Sequence, residues 1–314
     1  MTFKILIIGG TGYIGSRIFS ELSKNKLFQI KTCDKELFGN CINKQNIIKD
    51  YSELEYDYIQ EFDVVILLAG NSSVKMSENN AFGTFKNNVS NFISLISKMN
   101  CRQKLIYASS SSIYGSTFKQ ISYESDEDLK PTNTYDFSKY EIDYYARFSD
   151  INYYSLRFGT VNGFSKNLRT DLMLNAMVKS AIEHNEVQVF NPSVKRPIIG
   201  LSDLVKAVNQ IIIYDNEENL KGIYNLSSFN TTPLEAGKEI ASIFNADLII
   251  NEEVPKGYDQ FKTKSQTYDF WIDSSKFSKN FDFKFNDTIS SISLELKSLI
   301  NKVELFSNRT NEKR

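Results

Sequence analysis

A run of apolar residues followed by three glycines constrains the fold more than any other stretch of the sequence. Residues 5–8 are all isoleucine or leucine, which is typical of a strand buried on both faces of a parallel sheet. Gly9, Gly12 and Gly15 follow at three-residue spacing, and the apolar positions after them recur at helical spacing. The sequence therefore predicts a strand, a tight turn, and a helix that follows the last glycine.

This turn has the features of a site for a pyrophosphate group. Glycine tolerates positive φ and lets a ligand approach the backbone closely. The helix N-terminus directs unpaired N–H groups and the positive end of its dipole at an anion. We therefore expect five residues of the turn to bind a dinucleotide: Gly9, Gly12, Tyr13, Ile14 and Gly15.

An acidic residue at the expected distance narrows the choice of dinucleotide. A second β-like run over residues 28–33 ends at Asp34, nineteen positions after Gly15. An acid about 20 residues beyond the glycines binds the ribose hydroxyls of NAD and disfavours the 2′-phosphate of NADP. The predicted cofactor is therefore NAD, although the adjacent Lys35 leaves NADP open. A glycine-rich turn that holds no ligand is the alternative.

Later strand ends supply further candidate cofactor contacts. Asp50 and Tyr51 follow a short predicted strand at 47–48, where an adenine contact and a surface turn both fit. Ligands of α/β sheets bind at carboxyl strand ends, and the predicted strand within 62–70 ends in small residues. The candidates at that end are Leu68, Ala69 and Gly70. In a helix predicted over 81–99, the polar Asn88 is placed to bond a neighbouring loop beside the cofactor.

Four serines and a tyrosine–lysine pair carry the candidate chemistry. Residues 109–112 are all serine and follow a predicted strand at 104–108, which favours a ligand site over a polar loop. Tyr135 and Lys139 lie four apart in a predicted helix, 135–148, so they share one face. An ordinary tyrosine pKa is about 10, and a nearby ammonium favours the phenolate. The phenolate can then take a proton from a sugar hydroxyl as hydride leaves the same carbon. The alternative is a surface Tyr/Lys pair.

Together these motifs resemble the extended short-chain dehydrogenase/reductases of the NAD-dependent epimerase/dehydratase family, whose best-known members act on nucleotide sugars. The resemblance covers nearly the whole chain and is carried by residues 9–15, 109–115, 135–139 and 156–163. We expect an α/β protein with a doubly wound parallel Rossmann sheet in strand order 3-2-1-4-5-6, extended at one edge. The expected domains are an NAD-binding domain at 1–163, to which a strand near 222–226 returns, and a mainly substrate-binding domain at 164–314.

The resemblance implies a catalytic set of Ser110, Tyr135 and Lys139, with Tyr135 and Lys139 also contacting the cofactor. Phe158, which ends a predicted strand at 153–158, would flank the nicotinamide. The family's dehydratases carry Thr-Asp-Glu where this chain has three serines, so dehydration is disfavoured. Two other positions depart from the family, since Thr160 stands in place of an asparagine and Gly200 in place of a histidine.

The resemblance also implies a substrate site. Ser110 and Ser111 would contact the sugar, and Asn175 would contact the nucleotide diphosphate or else cap a helix. Phe190 would cover the nucleobase or fill the core, and the planar fork of Arg196 suits the diphosphate oxygens. No other arginine lies between Arg196 and Arg309, so Lys262 or Lys264 would have to provide any second phosphate contact.

Composition excludes several classes of function. The net charge of −1 argues against a general nucleic-acid binder, and no apolar run approaches the ~18 residues of a membrane span. Lys4 leads directly into the first strand, which leaves no room for a signal peptide and predicts a cytoplasmic protein. The single histidine and three scattered cysteines predict no metal site.

The leading hypothesis is an NAD-dependent nucleotide-sugar epimerase that acts through a transient keto sugar. A second hypothesis is an NAD(P)H-dependent keto-sugar-nucleotide reductase with the same three catalytic residues. A third is a non-catalytic dinucleotide-binding protein that kept the fold. Family members often dimerise through the helices expected at 81–99 and 135–148, so a homodimer is expected.

Overall fold

The computed structural model describes residues 2–42, 46–115, 121–214, 220–251 and 269–300. Its strands in chain order are β1 (Phe3–Ile8), β2 (Phe28–Cys33), β3 (Asn46–Ile47), β4 (Val64–Leu67), β5 (Lys104–Ser110), β6 (Ile121–Ser122), β7 (Asn152–Phe158), β8 (Thr160–Asn162), β9 (Glu186–Phe190), β10 (Arg196–Gly200), β11 (Gly222–Leu226), β12 (Phe229–Thr231), β13 (Asp247–Asn251) and β14 (Trp271–Ile272). Its helices are α1 (Tyr13–Leu22), α2 (Tyr56–Ile59), α3 (Val74–Glu78), α4 (Ala81–Phe85), α5 (Asn91–Ile96), α6 (Thr134–Arg147), α7 (Met173–His184), α8 (Leu201–Ile213), α9 (Pro233–Phe244), α10 (Ser275–Phe281) and α11 (Ile289–Ile300).

A seven-stranded sheet forms the centre of the molecule, in the order β11-β7-β5-β4-β1-β2-β3. All of its strand pairs are parallel. In chain order, the first six strands of this sheet are β1 to β5 and β7, and they lie in the predicted order 3-2-1-4-5-6. Strand β11 is the extra edge strand. The doubly wound α/β fold is therefore confirmed.

The sheet is buried on both faces because alternate residues of its strands point to opposite sides. In β1, Ile5 and Ile7 belong to one apolar core, and Leu6 and Ile8 to another. Helices α1 and α8 supply the first core, whereas α5 and α6 supply the second. The result is a sheet between two layers of helices, with every carboxyl strand end at one edge.

Two predicted helices differ in the structure. Helix α1 begins at Tyr13 rather than after Gly15, so the last glycine lies inside its first turn. The helix predicted over 81–99 is interrupted between α4 and α5 by a wide π-helical turn, Lys86–Ser90. This turn contains Asn88, which is buried and bonds a neighbouring loop, and such π turns occur often at functional sites.

The C-terminal half contributes to the central layers as well as to three smaller sheets. Helix α8 packs against α1, and β11 pairs with β7. The smaller sheets have the orders β12-β10-β8, β13-β9 and β14-β6. A separate substrate-binding domain at 164–314 stays a prediction. Lys262 and Lys264 lie outside the described residues.

Candidate active site

The glycine turn fits tightly against the end of the neighbouring strand. Gly9 has a φ of +90°, and a Cβ there would lie 2.5 Å from the backbone nitrogen of Ala69. A Cβ on Gly15 would lie 2.0 Å from the carbonyl oxygen of Gly9. Gly12 is the N-cap residue of α1, and no side-chain hydrogen bond caps this helix end. The turn and the helix N-terminus therefore form a backbone cradle that side chains would fill, and this cradle fits a pyrophosphate group.

A cleft of about 620 Å³ lies along this turn and the adjoining strand ends. Most of the sequence-predicted cofactor residues line it: Gly9, Gly12, Tyr13, Ile14, Gly15, Asp34, Asp50, Tyr51, Leu68, Ala69 and Gly70. The sequence motifs therefore converge on one concave surface at the carboxyl edge of the sheet, where ligands of this fold class bind.

Three polar residues at the β2 side of the cleft make contacts within the chain. Asp34 accepts hydrogen bonds from the backbone nitrogens of Thr11 at 3.0 Å and Glu36 at 2.9 Å. Asp50 forms an ion pair with Lys35 and caps the turn that begins at Tyr51. Burial alone would raise the pKa of Asp50, but the hydrogen bonds from Lys35 and Ser52 hold it below its usual range. Contacts of Asp34 and Asp50 with the nucleotide stay predictions.

Asn88 connects the cleft to the helix that carries the tyrosine–lysine pair. Its side chain accepts from the nitrogen of Asn71 at 2.8 Å and donates to the oxygen of the same residue at 3.1 Å. It also donates to Ser138 of α6 at 2.9 Å. Gly70 packs beside it, and a Cβ there would lie 2.8 Å from Asn88 Oδ1. The prediction that Asn88 bonds a neighbouring loop is confirmed.

Tyr135 and Lys139 lie on one face of α6, as their spacing predicts. The Lys139 ammonium is 5.9 Å from the centre of the Tyr135 ring and donates to the carbonyl oxygen of Ala108 at 2.8 Å. Burial lowers the pKa of Lys139 to about 8, and the Asp143 carboxylate opposes this shift. Burial raises the pKa of Tyr135 to about 12, and Asp136 adds to the rise, whereas Arg169 opposes it. In the protein alone, burial therefore outweighs the nearby positive charges.

A chain of hydroxyl groups leads from Tyr135 to a buried carboxylate. Ser112 donates to Asp136 Oδ1 at 2.5 Å, and its oxygen lies 2.6 Å from that of Ser110. Because the single proton of Ser112 is donated to Asp136, Ser110 donates to Ser112 while Tyr135 is protonated. The side chains of Ser110 and Tyr135 are also hydrogen-bonded, and this bond lowers the pKa of Tyr135 because Ser110 can turn its proton to the phenolate. Asp136 is fully buried and accepts from Asn133 as well. It therefore holds Ser112 and Ser110 in place.

A buried ion pair lies one helical turn beyond Lys139. Asp143 and Arg157 are 2.9 Å apart, with side chains only 2% and 1% exposed. Asp143 also accepts from Tyr107, Ser109 and Ser155, which satisfies both of its oxygens. Arg157 continues the network to the hydroxyl of Tyr114 at 2.9 Å. This network fixes a negative charge next to Lys139 in the interior, where charge interactions are strong.

The other sequence-predicted residues do not line the described cleft. Phe158 is buried at the end of β7 opposite Ser110, and Ser111 is buried in the turn after β5. Asn175 is 2% exposed and donates to Tyr13 at 3.1 Å. Phe190 ends β9 and Arg196 begins β10, both in the smaller sheets. Substrate and nicotinamide contacts of these residues stay predictions.

The structure adds cleft residues that the sequence analysis missed. Thr11 and the polar residues after Gly70 line the cleft, as do Asn167 and Arg169 from the chain beyond β8. Arg169 donates to Asp171 from Nε at 3.1 Å and from Nη2 at 2.6 Å. Arg169, rather than Arg196, therefore supplies an arginine to the described cleft.

A model of the NAD dependent epimerase/dehydratase family matches residues 5–227, which is more than half of the chain. The chain belongs to this family. Membership confirms the resemblance drawn from the sequence and makes NAD the cofactor. The backbone cradle formed by the glycine turn fits the pyrophosphate of that cofactor.

Curated relatives and solved structures agree with this family. The chain is 26% identical to Protein CapI of Staphylococcus aureus over 234 residues, which is 67% of this chain and 69% of CapI. It is 26% identical to a UDP-glucose 4-epimerase of Lactobacillus helveticus over 274 residues, 76% of this chain and 82% of that enzyme. The UDP-glucuronic acid 4-epimerase of Bacillus cereus, solved with UDP-glucuronic acid and NAD, has the same fold. It has a TM-score of 0.76 at 22% identity and covers 95% of this chain and 99% of its own.

The described residues bear on two other classes of site, a membrane span and a metal centre. Within the described ranges, helices that combine enough length and apolar character to cross a membrane are absent. The same residues contain no cluster of three or more histidine, cysteine or acidic side chains arranged to hold a metal ion. A cytoplasmic location stays a prediction.

Proposed function

We propose that the chain is an NAD-dependent nucleotide-sugar epimerase that acts through a transient keto sugar. The observation that carries this proposal is the position of Tyr135, which is hydrogen-bonded to Ser110 and lies 5.9 Å from the Lys139 ammonium, next to the glycine-lined cleft of an NAD-dependent family. The named epimerases among the relatives support the same reaction class. The alternative of a keto-sugar reductase has no structural observation in its favour.

In this proposal Tyr135, as the phenolate, takes the proton of a sugar hydroxyl and later returns it. The positive charges of Lys139 and Arg169 favour the phenolate, while burial and Asp136 oppose it. NAD, when bound, supplies the hydride acceptor and a further positive charge. Ser110 holds the side chain of Tyr135 in position and can turn its proton from Ser112 to the phenolate oxygen. Proton transfer by one positioned side chain contributes about 10²–10⁴-fold to a rate.

The residues that would hold NAD are those of the cradle and the cleft. The backbone N–H groups at the start of α1 would bind the pyrophosphate, and Asp34 would bind the adenosine ribose. Leu68, Ala69 and Gly70 would border the cofactor at the end of β4. The nucleotide sugar would bind beyond Tyr135, towards the C-terminal half, with Ser111, Asn175, Phe190 and Arg196 as the candidate contacts.

The experiment uses protein purified without added cofactor. Ligands released on denaturation are identified by mass spectrometry, and the native protein is then incubated with UDP-glucose, UDP-glucuronic acid and UDP-N-acetylglucosamine. We expect bound NAD and inversion of one of these sugars without net NADH formation, read by chromatography and absorbance at 340 nm. Stoichiometric consumption of added NADH by a keto sugar would instead establish the reductase.

We further propose a homodimer that buries an aromatic face of α4 and α6. Phe82 is 82% exposed and Phe148 is 75% exposed, while Phe85 stacks on Phe137 at 6.4 Å between ring centres. Exposed apolar patches of this kind mark interaction surfaces. Light scattering is expected to show a dimer, and Phe82→Asp with Phe148→Asp is expected to give a monomer. A monomeric unmodified protein would overturn the dimer proposal alone.

A further inference from the structure

The chain segment between β8 and α7 crosses directly onto the cofactor turn. We define residues 163–172 as the strap. It leaves the short sheet of β8 and passes along the turn and the first helix before α7 begins. Its residues Asn167 and Arg169 line the same cleft as the turn. The strap is therefore part of the wall that a ligand in the cleft would meet.

Buried hydrogen bonds join the strap to the turn and to α1. Asn167 Nδ2 donates to the carbonyl oxygen of Thr11 at 2.7 Å, and both residues are at most 2% exposed. The hydroxyls of Ser165 and Ser16 lie 2.7 Å apart, and each residue is 1% exposed. Such contacts are costly to lose because each broken bond leaves a polar group buried without its partner.

The hydroxyl of Tyr13 forms two further hydrogen bonds, one to the first residue of the strap and one just beyond its end. The hydroxyl of Tyr13 donates to the carbonyl oxygen of Gly163 at 2.8 Å. It accepts from Asn175, in the first turn of α7, at 3.1 Å. Tyr13 is 8% exposed, and burial raises its pKa above the usual range, so the hydroxyl stays protonated and can donate.

Helix α11, in the C-terminal half, contacts both α1 and the strap through Glu295. Glu295 forms an ion pair with Arg17 of α1 at 2.8 Å and accepts from the strap nitrogen of Phe164 at 3.3 Å. Arg17 also donates to the carbonyl oxygen of Phe164 at 3.1 Å. One carboxylate thus holds both α1 and the strap. The cofactor turn is consequently fixed from the side of the C-terminal half as well as by its own strand.

We propose that the strap retains NAD in the cleft between turnovers, and that Asn167, which bonds the turn itself, is a positioning residue for this retention. Fixing the turn in its binding conformation lowers the cost of ordering it when the dinucleotide binds. Release of the dinucleotide is slowed because the turn cannot move away from the strap without breaking buried hydrogen bonds. This inference rests on the proposed function, since an epimerase benefits from a cofactor that stays bound, whereas a reductase must exchange it.

The test compares Asn167→Ala with Gln103→Ala. Gln103 is also a buried amide that donates to backbone carbonyl oxygens, at 2.7 and 2.8 Å, but it precedes β5 at the opposite edge of the sheet. Each protein is loaded with NAD. The rate of NAD release is then measured as the rate at which an excess of fluorescent etheno-NAD replaces it. The free energy of one buried hydrogen bond corresponds to about a tenfold change in a rate. Asn167→Ala is therefore expected to release NAD about tenfold faster than the unmodified protein. Gln103→Ala is expected to keep the rate of the unmodified protein, with a similar fall in Tm.

Equal release rates in the two folded variants would overturn the proposal. If Asn167→Ala does not fold, Ser165→Ala decides, with release at least about threefold faster expected from the loss of its bond to Ser16. An unchanged rate in Ser165→Ala would then overturn the proposal. These release rates are measured without a sugar substrate. A finding that the protein is a reductase would therefore refute the proposed function and leave the test of the strap unaffected.

Discussion

The cofactor cleft and the catalytic cluster are built from different parts of the chain and by different means. The cleft relies on backbone groups and on glycines whose missing side chains make room, at Gly9 and Gly15 above all. The cluster around Tyr135 relies on buried side chains from β5, α6 and β7 that hold each other's protons and charges. We therefore expect substitutions that add bulk at the glycines to reduce NAD binding. Removal of a single charge or hydroxyl from the cluster should instead change catalysis and leave NAD binding intact.

The largest effect is expected from Gly15→Ala. Its Cβ would lie 2.0 Å from the carbonyl oxygen of Gly9, a distance that the backbone can relieve only by moving the turn. We expect loss of bound NAD and a fall in Tm, measured by nucleotide analysis and thermal unfolding. Gly12→Ala is the matched control for the fall in Tm, since its Cβ would lie 3.3 Å from the same oxygen and should disturb the fold of the turn far less. An equal fall in Tm in the two variants would contradict the steric explanation.

Tyr135→Phe should abolish turnover and leave the cleft intact. Removal of the proton-transferring hydroxyl is expected to lower kcat by about 10³-fold, within the range for general acid–base catalysis. NAD content and Tm should stay close to those of the unmodified protein, because Tyr135 does not line the described cleft. A variant that keeps its activity would revive the interpretation of a non-catalytic dinucleotide-binding protein.

Asp143→Asn tests the charge beside Lys139. The pKa of Lys139 is about 8, so activity that needs the ammonium should fall as the pH rises through 8. Because the Asp143 carboxylate favours the ammonium, its removal should move this fall to lower pH, as seen in a kcat/KM profile. The variant also leaves Arg157 buried without its partner, which should cost about 3–5 kcal/mol of stability.

Ser109→Ala is the control for that experiment. It removes one hydrogen bond to Asp143, at 2.9 Å, and no charge. Its stability should fall by only about 1 kcal/mol, and its pH profile should not move. A shifted profile in Ser109→Ala, or none in Asp143→Asn, would contradict the assignment of the charge effect to Asp143.

The smallest effect is expected from Ser112→Ala. Without the Ser112 hydroxyl, Ser110 loses the hydrogen-bonded link to Asp136 that holds it beside Tyr135. We expect kcat to fall by about tenfold, the equivalent of one hydrogen bond, with NAD content unchanged. Ser112→Thr keeps the hydroxyl and should restore most of the activity. An equal loss in both variants would mean that packing, and not the proton arrangement, controls Ser110.

Much of the cleft could be predicted from the sequence because its signals are local. The glycine spacing, Asp34 at the end of β2, and the small residues at the end of β4 all stand next to an apolar run that marks a strand. Since parallel strands end at one edge, residues at successive strand ends were expected to meet, and Gly9, Asp34 and Gly70 line one cleft. The strand order was expected from the resemblance to a family with the doubly wound fold.

The strap and the buried charges could not be predicted because they depend on residues far apart in the chain. Tyr13 and Gly163 bond across 150 positions, and Asn167 and Thr11 across 156. Arg169 lies only two residues before Asp171, and this pair was the one local signal that could have drawn attention to the strap. At Gly200, a Cβ would lie 2.0 Å from Asp287 Oδ2 of the C-terminal segment, which no local pattern reveals.

A hydride-crossover experiment tests the central claim most directly. The nucleotide sugar that the protein inverts is supplied as an equal mixture of ring-deuterated and ring-¹³C forms, without added cofactor. If the cofactor stays bound and the hydride returns to the sugar it left, the deuterated product keeps all of its deuterium and the ¹³C product gains none. Deuterium in the ¹³C product, or its loss to the medium or to a free nucleotide pool, would contradict the account.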